Sequence, residues 1–338
     1  MTGLERILAA VHFTPSDRVP VIPQIFGHAA RIAGVPLNRY LTDATVLAQC
    51  QLAALERYRH DAVFALLDVN VETEALGSRL RFPKDGYPSV EHFAIEHPAA
   101  VAELEIPDPG KAGRMPVLLE AARLLRQRLE DRVLVAGCVL GPMTLACQLL
   151  GAERALFAAV DEPEAFERLL DFAADVAVRF GQAQLEAGAH LCVVFDPSAS
   201  PAVVPPALFR ELLAPRLRRL CDALKRKGSP VTWLHIAGPV EPILPLYPDC
   251  RVDIANIDYC VDAKRARAAV PRLCLDGNIR SLAFVDSEPE DIVAACLRVL
   301  DGAGPGFILS SGCEIPLEAR PECVQALVDA AKERSSQL

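Results

Sequence analysis

Eight short apolar runs, rich in β-branched residues, alternate along this chain with longer amphipathic patterns, and that alternation limits the fold more than any other feature. The runs are "VPVIPQI" near Val19, "AVFALLD" ending at Asp68, "RVLVAGC" ending at Cys138 and "HLCVVFD" ending at Asp196. They continue with "PVTWLH" ending at His235, "VDIANID" ending at Asp258, "RLCLDGN" ending at Asn278 and "GFILSS" ending at Ser311. Strands separated by helices imply parallel pairing with the helices on the outside, and eight such units close an α/β barrel of the (β/α)8 TIM type. A chain of 338 residues has room for two small domains, but the unbroken alternation favours one barrel domain over 1–338.

The intervening helices carry their own punctuation. The patterns starting at Pro163 and Pro205 begin with prolines, whose fixed φ suits a first helical turn, and end at Gly188 and Gly228. The most apolar run, Val133–Gly151, has nearly the length of a membrane span, but its central Gly141-Pro142 predicts a buried strand, turn and helix instead. Between the second and third runs, residues 77–111 form an insertion rich in proline and charge, expected to make a flap. The tail "KERSSQL" is expected to fray.

Composition excludes several classes of partner. Acidic side chains outnumber basic ones 44 to 35, giving a net charge of −9, and no basic cluster extends beyond "LKRKG" at 224–228. Nucleic acid is therefore not an expected partner. The 11 cysteines sit mostly singly in apolar runs without a CxxC pair, which fits a reducing compartment, and the first residues lack the pattern of a secretory signal. The expected location is the cytoplasm, with no membrane association.

Barrel active sites lie at the carboxyl ends of the strands, and polar residues gather there in this sequence. Asp68, Asp196, His235, Asp258, Asn278 and Cys313 all fall at or just past a strand end. Any one of them has a simpler reading, as a helix cap for Asp and Asn or as a satisfied core residue for His and Cys. Six on one rim point to a site, with Asp68, Asp196, His235 and Cys313 as the catalytic candidates and Asn278 as a cofactor-binding candidate.

The segments "FTPSDRVPV", "ETEALG" at 72–77, "GPMTLACQLLG" from Gly141, "FDPSAS" from Phe195, "LHIAG" from Leu234, "DGNI" from Asp276 and "SSGCEIP" from Ser310 resemble the uroporphyrinogen decarboxylase superfamily. Within it they are most similar to the methylcobamide-dependent methyltransferases. The decarboxylase branch uses arginines after the "DRxPV" opening to bind a polycarboxylate, and Ile25 and Ala29 stand at those positions here. Its tyrosine appears as Gln148 and its carboxyl-terminal histidine as Cys313, although Asp68 matches its aspartate.

The methyltransferase resemblance implies a zinc site built from a His-x-Cys pair after the fifth strand and a Cys after the eighth. Zinc there holds an acceptor thiol as thiolate, and the methyl group comes from a corrinoid. His235 and Cys313 match this pattern, while Ala237 occupies the usual cysteine position. Three explanations stand open: a carboxylate or thiol substitutes as zinc ligand, zinc has been lost, or catalysis has been lost. The substitutes considered are Asp68, Glu72, Glu74, Cys192 and Glu314. Charge balance favours a glutamate, and Glu74 is the expected third ligand. A cobalamin-binding segment of the DxHxxG type is absent from the sequence, so methylcobalamin is expected on a corrinoid partner protein, with a thiol or tetrahydrofolate as the small methyl acceptor.

Overall fold

A computed structural model describes residues 1–335. It contains β1 (Val21–Ile22), β2 (Ala62–Phe64), β3 (Arg79–Arg81), β4 (Ser89–His92), β5 (Leu134–Leu140), β6 (Leu191–Phe195), β7 (Trp233–His235), β8 (Ile254–Ile257), β9 (Cys274–Ile279) and β10 (Phe307–Ser311). Eight of these form one sheet in the order β1-β10-β9-β8-β7-β6-β5-β2, with every adjacent pair parallel. All eight expected strands are present, and the barrel is the observed fold.

The seam between β1 and β2 is closed partly by side chains. One backbone bond crosses it, from Asp61 N–H to the Val21 carbonyl at 2.9 Å, and the Asp61 carboxylate accepts from Val21 N–H at 2.8 Å. Higher up, Gln51 donates to the Ile25 carbonyl at 2.9 Å and accepts from Phe64 N–H at 3.2 Å. Arg6 and Arg18 both bond to Asp61, so the buried carboxylate at the seam is paired.

Side-chain alternation along the strands divides the apolar core in two. One cluster fills the barrel, with Phe64, Val193, Phe195, Trp233, Ile254 and Ile308 among its members, and Ile7 of the helix Gly3–Val11 joins it. The larger cluster lies between the sheet and the outer helices. His235 is two residues beyond Trp233 on β7 and therefore continues the inward row.

Local features follow the sequence closely. The helix Pro163–Ala187 ends at Gly188 with φ 118°, a left-handed conformation that suits glycine. The pattern from Pro205 is helical but contains a π-turn at Phe209–Leu213 just before Pro215, which has no N–H for a regular α ladder. Val133–Gly151 resolves into β5 and the helix Pro142–Leu150; among the described residues no single helix is long and apolar enough to cross a membrane. Of the tail, residues up to Ser335 belong to the final helix, and 336–338 lie outside the described residues.

The insertion 77–111 contains the antiparallel pair β3 and β4 and a 3-10 helix, Pro98–Glu103. Its hairpin is tied to the barrel mouth. Asn70 Nδ2 donates to the Pro88 carbonyl at 2.9 Å, Gly27 N–H donates to Tyr87 Oη at 2.8 Å, and Tyr87 donates to Glu314.

Candidate active site

Where the strands end, a cavity of about 170 Å³ opens between the barrel and the hairpin. His235 and Ala237 line it from the end of β7, Cys313 and Glu314 from beyond β10, Asp68 from beyond β2 and Tyr87 from the insertion. Phe26, Leu66, Val69, Phe195 and Pro197 make much of the remaining wall, which is apolar. No lysine or arginine is among the described residues lining it. This volume is below the range usual for drug-sized ligands, so the enclosed space suits a small molecule or one end of a larger one.

His235 and Cys313, distant in sequence, thus line one cavity. The imidazole packs against Phe195 with ring centroids 4.8 Å apart, and its buried Nδ1 has no hydrogen-bond partner. Burial pushes its pKa down to about 3, so the ring stays neutral and keeps a lone pair near neutral pH. Burial pushes the Cys313 thiol up to about 11, keeping it protonated in the absence of a positive neighbour.

Asp68 reaches the same cavity with its charge already paired. Arg114 donates Nη1 to Asp68 at 2.5 Å and Nε to Glu74 at 2.6 Å, and Asp68 also accepts from Asn70 N–H at 2.8 Å. Glu74, the expected third zinc ligand, is committed to this pairing and is not among the cavity residues. The physical reason is local: β2 stops at Phe64, and Val71–Ala75 is a short helix that carries Glu74 toward Arg114.

Asp196 is placed behind the cavity rather than on it. Its carboxylate accepts from Thr144 N–H and Thr144 Oγ1, both at 2.7 Å, and from Met143 N–H at 3.4 Å. It thereby caps the helix Pro142–Leu150 from the end of a neighbouring strand. The approach is close enough that a Cβ on Gly141 would lie 2.3 Å from the Asp196 side chain, which explains the glycine. Burial raises the Asp196 carboxyl to about 6.

Asn278 lies apart from both. Its Nδ2 donates to the Val261 carbonyl at 2.7 Å, and it lines a separate open depression with Tyr259, Cys260 and Arg280. Asp258 is spent on the backbone, accepting from Gly238 N–H at 2.9 Å and Tyr259 N–H at 2.7 Å.

The other substitute ligands fare unequally. Glu72 accepts from Leu140 N–H at 2.8 Å, and Cys192 donates to the Gly181 carbonyl at 3.5 Å; neither lines the cavity. Glu314 does, with its carboxyl raised to about 7 by burial and one oxygen engaged by Tyr87. Among the described residues no three His, Cys, Asp or Glu side chains are grouped as a metal site. A substrate-activating zinc takes three protein ligands. The donors at the expected position stop at His235 and Cys313, so the residues present do not fit that site.

Sequence reasoning missed two residues that shape this mouth. Arg114 belongs to no motif in the sequence, and its role shows only once it stands between two carboxylates. Tyr87 had one available signal, an aromatic within the polar turn "KDGYPS".

The uroporphyrinogen decarboxylase (URO-D) family model matches residues 2–334. The chain belongs to this family. It is similar to a methylcobamide:CoM methyltransferase (MtaA) of Methanosarcina barkeri, 29% identical over 335 residues that cover 97% of each chain. It is also similar to a uroporphyrinogen decarboxylase of Azoarcus sp. (strain BH72), 30% identical over 318 residues covering 90% of this chain and 87% of the other. Sequence identity alone therefore does not separate the two activities. Among solved structures, a methyltransferase from Methanosarcina mazei matches with a TM-score of 0.91 and 28% identity, covering 99% of each chain.

Proposed function

We propose that the chain is a corrinoid-dependent methyltransferase, moving a methyl group between a cobalamin-bearing partner protein and a small acceptor seated in the barrel-mouth cavity. One observation carries the choice within the family: the cavity presents His235 and Cys313 and has no lysine or arginine on its wall. A polycarboxylate such as uroporphyrinogen needs cations to offset its desolvation. Ile25 and Ala29, at the decarboxylase arginine positions, are fully buried in the apolar core.

The chemistry asked of these residues is modest. When its protein docks, the corrinoid would supply an electrophilic methyl group and keep the electron pair of the carbon–cobalt bond that breaks. The acceptor forms the new bond with a lone pair, and an acceptor that starts as a thiol must give up its proton. Neutral His235 is suited to receive that proton or to hold the acceptor by a hydrogen bond. The apolar wall and the hairpin limit water around the reacting pair. No step is assigned to a metal, because the donor set is one ligand short.

The test is an absorbance assay of methylcobalamin consumption against thiol and folate acceptors, with zinc content measured on the same protein. Acceptor-dependent demethylation is the expected result. Turnover of uroporphyrinogen would instead assign the decarboxylase activity, with Asp68 as its acid. Neither activity would leave a binding protein built on the same barrel.

A further inference from the structure

We infer that the acceptor taken by this cavity is a small thiol bearing a neutral or cationic end group, and that anionic acceptors are selected against. The inference rests on the methyl-transfer reading and adds the substrate class to it. Three observations support it independently of sequence similarity.

First, the described lining contains carboxyl groups from Asp68 and Glu314 but no lysine or arginine. Second, the buried Arg114 is not available to an anion in the cavity: it bonds to both Asp68 and Glu74 and is absent from the lining. Third, Glu314 is fixed in place on the cavity wall. Tyr87 bonds to its Oε1 and is itself held by Gly27 N–H at 2.8 Å.

An anionic end group entering this largely apolar space would lose its hydration without gaining a counter-ion. An ammonium would find acceptor oxygens on the carboxyls of the lining. A hydroxyl would incur neither the gain nor the penalty. The same reasoning separates this cavity from one that holds coenzyme M, a thiol carrying a sulfonate.

Three two-carbon thiols vary the charge of the far end: cysteamine, 2-mercaptoethanol and coenzyme M, whose sulfonate is also the bulkiest, so variants that change the charge of the wall separate charge from size. Calorimetric binding to the full-length protein is expected to rank them in that order, with coenzyme M at least about tenfold weaker than cysteamine. Glu314→Gln should shrink the cysteamine to coenzyme M ratio at least about threefold, because it removes from the wall an ionisable carboxyl with which an ammonium can pair. Val69→Lys, which places a cation at the 40% exposed position on the rim, should raise coenzyme M binding. Coenzyme M binding as tightly as cysteamine would overturn the inference, as would no binding of cysteamine or a ratio unmoved in both variants. Methylcobalamin consumption is recorded separately with the same thiols. Failure of demethylation with the binding order intact would count against the methyl-transfer reading and not against the charge preference.

Discussion

The two sides of the barrel mouth use similar residues in different ways. On the β2, β5 and β6 side, polar groups are already satisfied: Asp68 by Arg114, Glu72 by Leu140 N–H, and Asp196 by the first turn of the helix Pro142–Leu150. On the β7 and β10 side, His235 has a buried nitrogen without a partner, Ala237 offers no polar atom, and Cys313 lines the open cavity. Both sides place acids, a histidine or a thiol just past strand ends. The difference shows that position on the rim selects candidates, while unspent bonding capacity tells which of them are available to a ligand.

If the first side is structural, breaking it should cost stability. Arg114→Leu leaves Asp68 buried without its counter-ion, and a loss of about 3–5 kcal/mol is expected in denaturant unfolding. A loss below about 1 kcal/mol would mean the carboxylates are solvated after all. Asp196→Ala uncaps the helix Pro142–Leu150 and strands the Thr144 donors, with an expected cost of about 1–3 kcal/mol. The same measurement checks it, and an unchanged midpoint would contradict the capping role.

On the second side the effects should appear in ligand binding. Ala237 lines the cavity two residues beyond His235, so Ala237→Cys adds a soft anionic ligand where the described donors stop at two. Zinc affinity, measured by competition with a chelator, should rise about tenfold or more, which requires only about 1.4 kcal/mol. The gain should disappear in a Cys313→Ser background. Equal affinity in parent and variant would show that the two positions do not share a metal.

The smallest effect per step concerns pH. His235 titrates near 6.5 when unfolded and near 3 when folded, so below about 6.5 the unfolded chain binds a proton that the native state does not. Stability from this group is full above about 6.5 and is lost as pH falls toward 3, by at most about 1.4 kcal/mol per pH unit. The buried His60, also lowered to about 3, adds a slope of the same sign. Subtracting the stability profile of His235→Asn from that of the parent isolates the first contribution. A flat difference between pH 6.5 and 4 would refute the burial of a neutral ring.

The eight barrel strands were legible because short β-rich runs between helical patterns have few other readings. His235 was legible for a related reason, since alternation along β7 carries from Trp233 inside the barrel to the cavity wall, while Ala237 and Cys313 lie past the ends of β7 and β10 and were picked out by the family resemblance. The alternation rule fails once a strand has ended. Asp68, Glu72 and Glu74 follow β2 in a loop and a short helix, where period-two spacing no longer reports direction, and Glu74 accordingly turns to Arg114. The hairpin β3 and β4 escaped notice because "RLR" and "SVEH" are short, charged and largely exposed. Its contribution to the site, Tyr87, depends on a contact with Glu314, 227 residues away in sequence.

The measurement that bears most directly on the whole account is acceptor-dependent methylcobalamin consumption by three proteins: the parent, His235→Ala and Thr144→Val. Thr144 bonds to Asp196 behind the cavity and is absent from its lining, whereas His235 lines it. Consumption at least about a hundredfold slower in His235→Ala is expected from loss of a group that handles the acceptor's proton, with folding retained by circular dichroism. Thr144→Val should lose stability and keep most of its rate. Equal rates in His235→Ala and the parent would contradict the assignment of methyl transfer to this cavity.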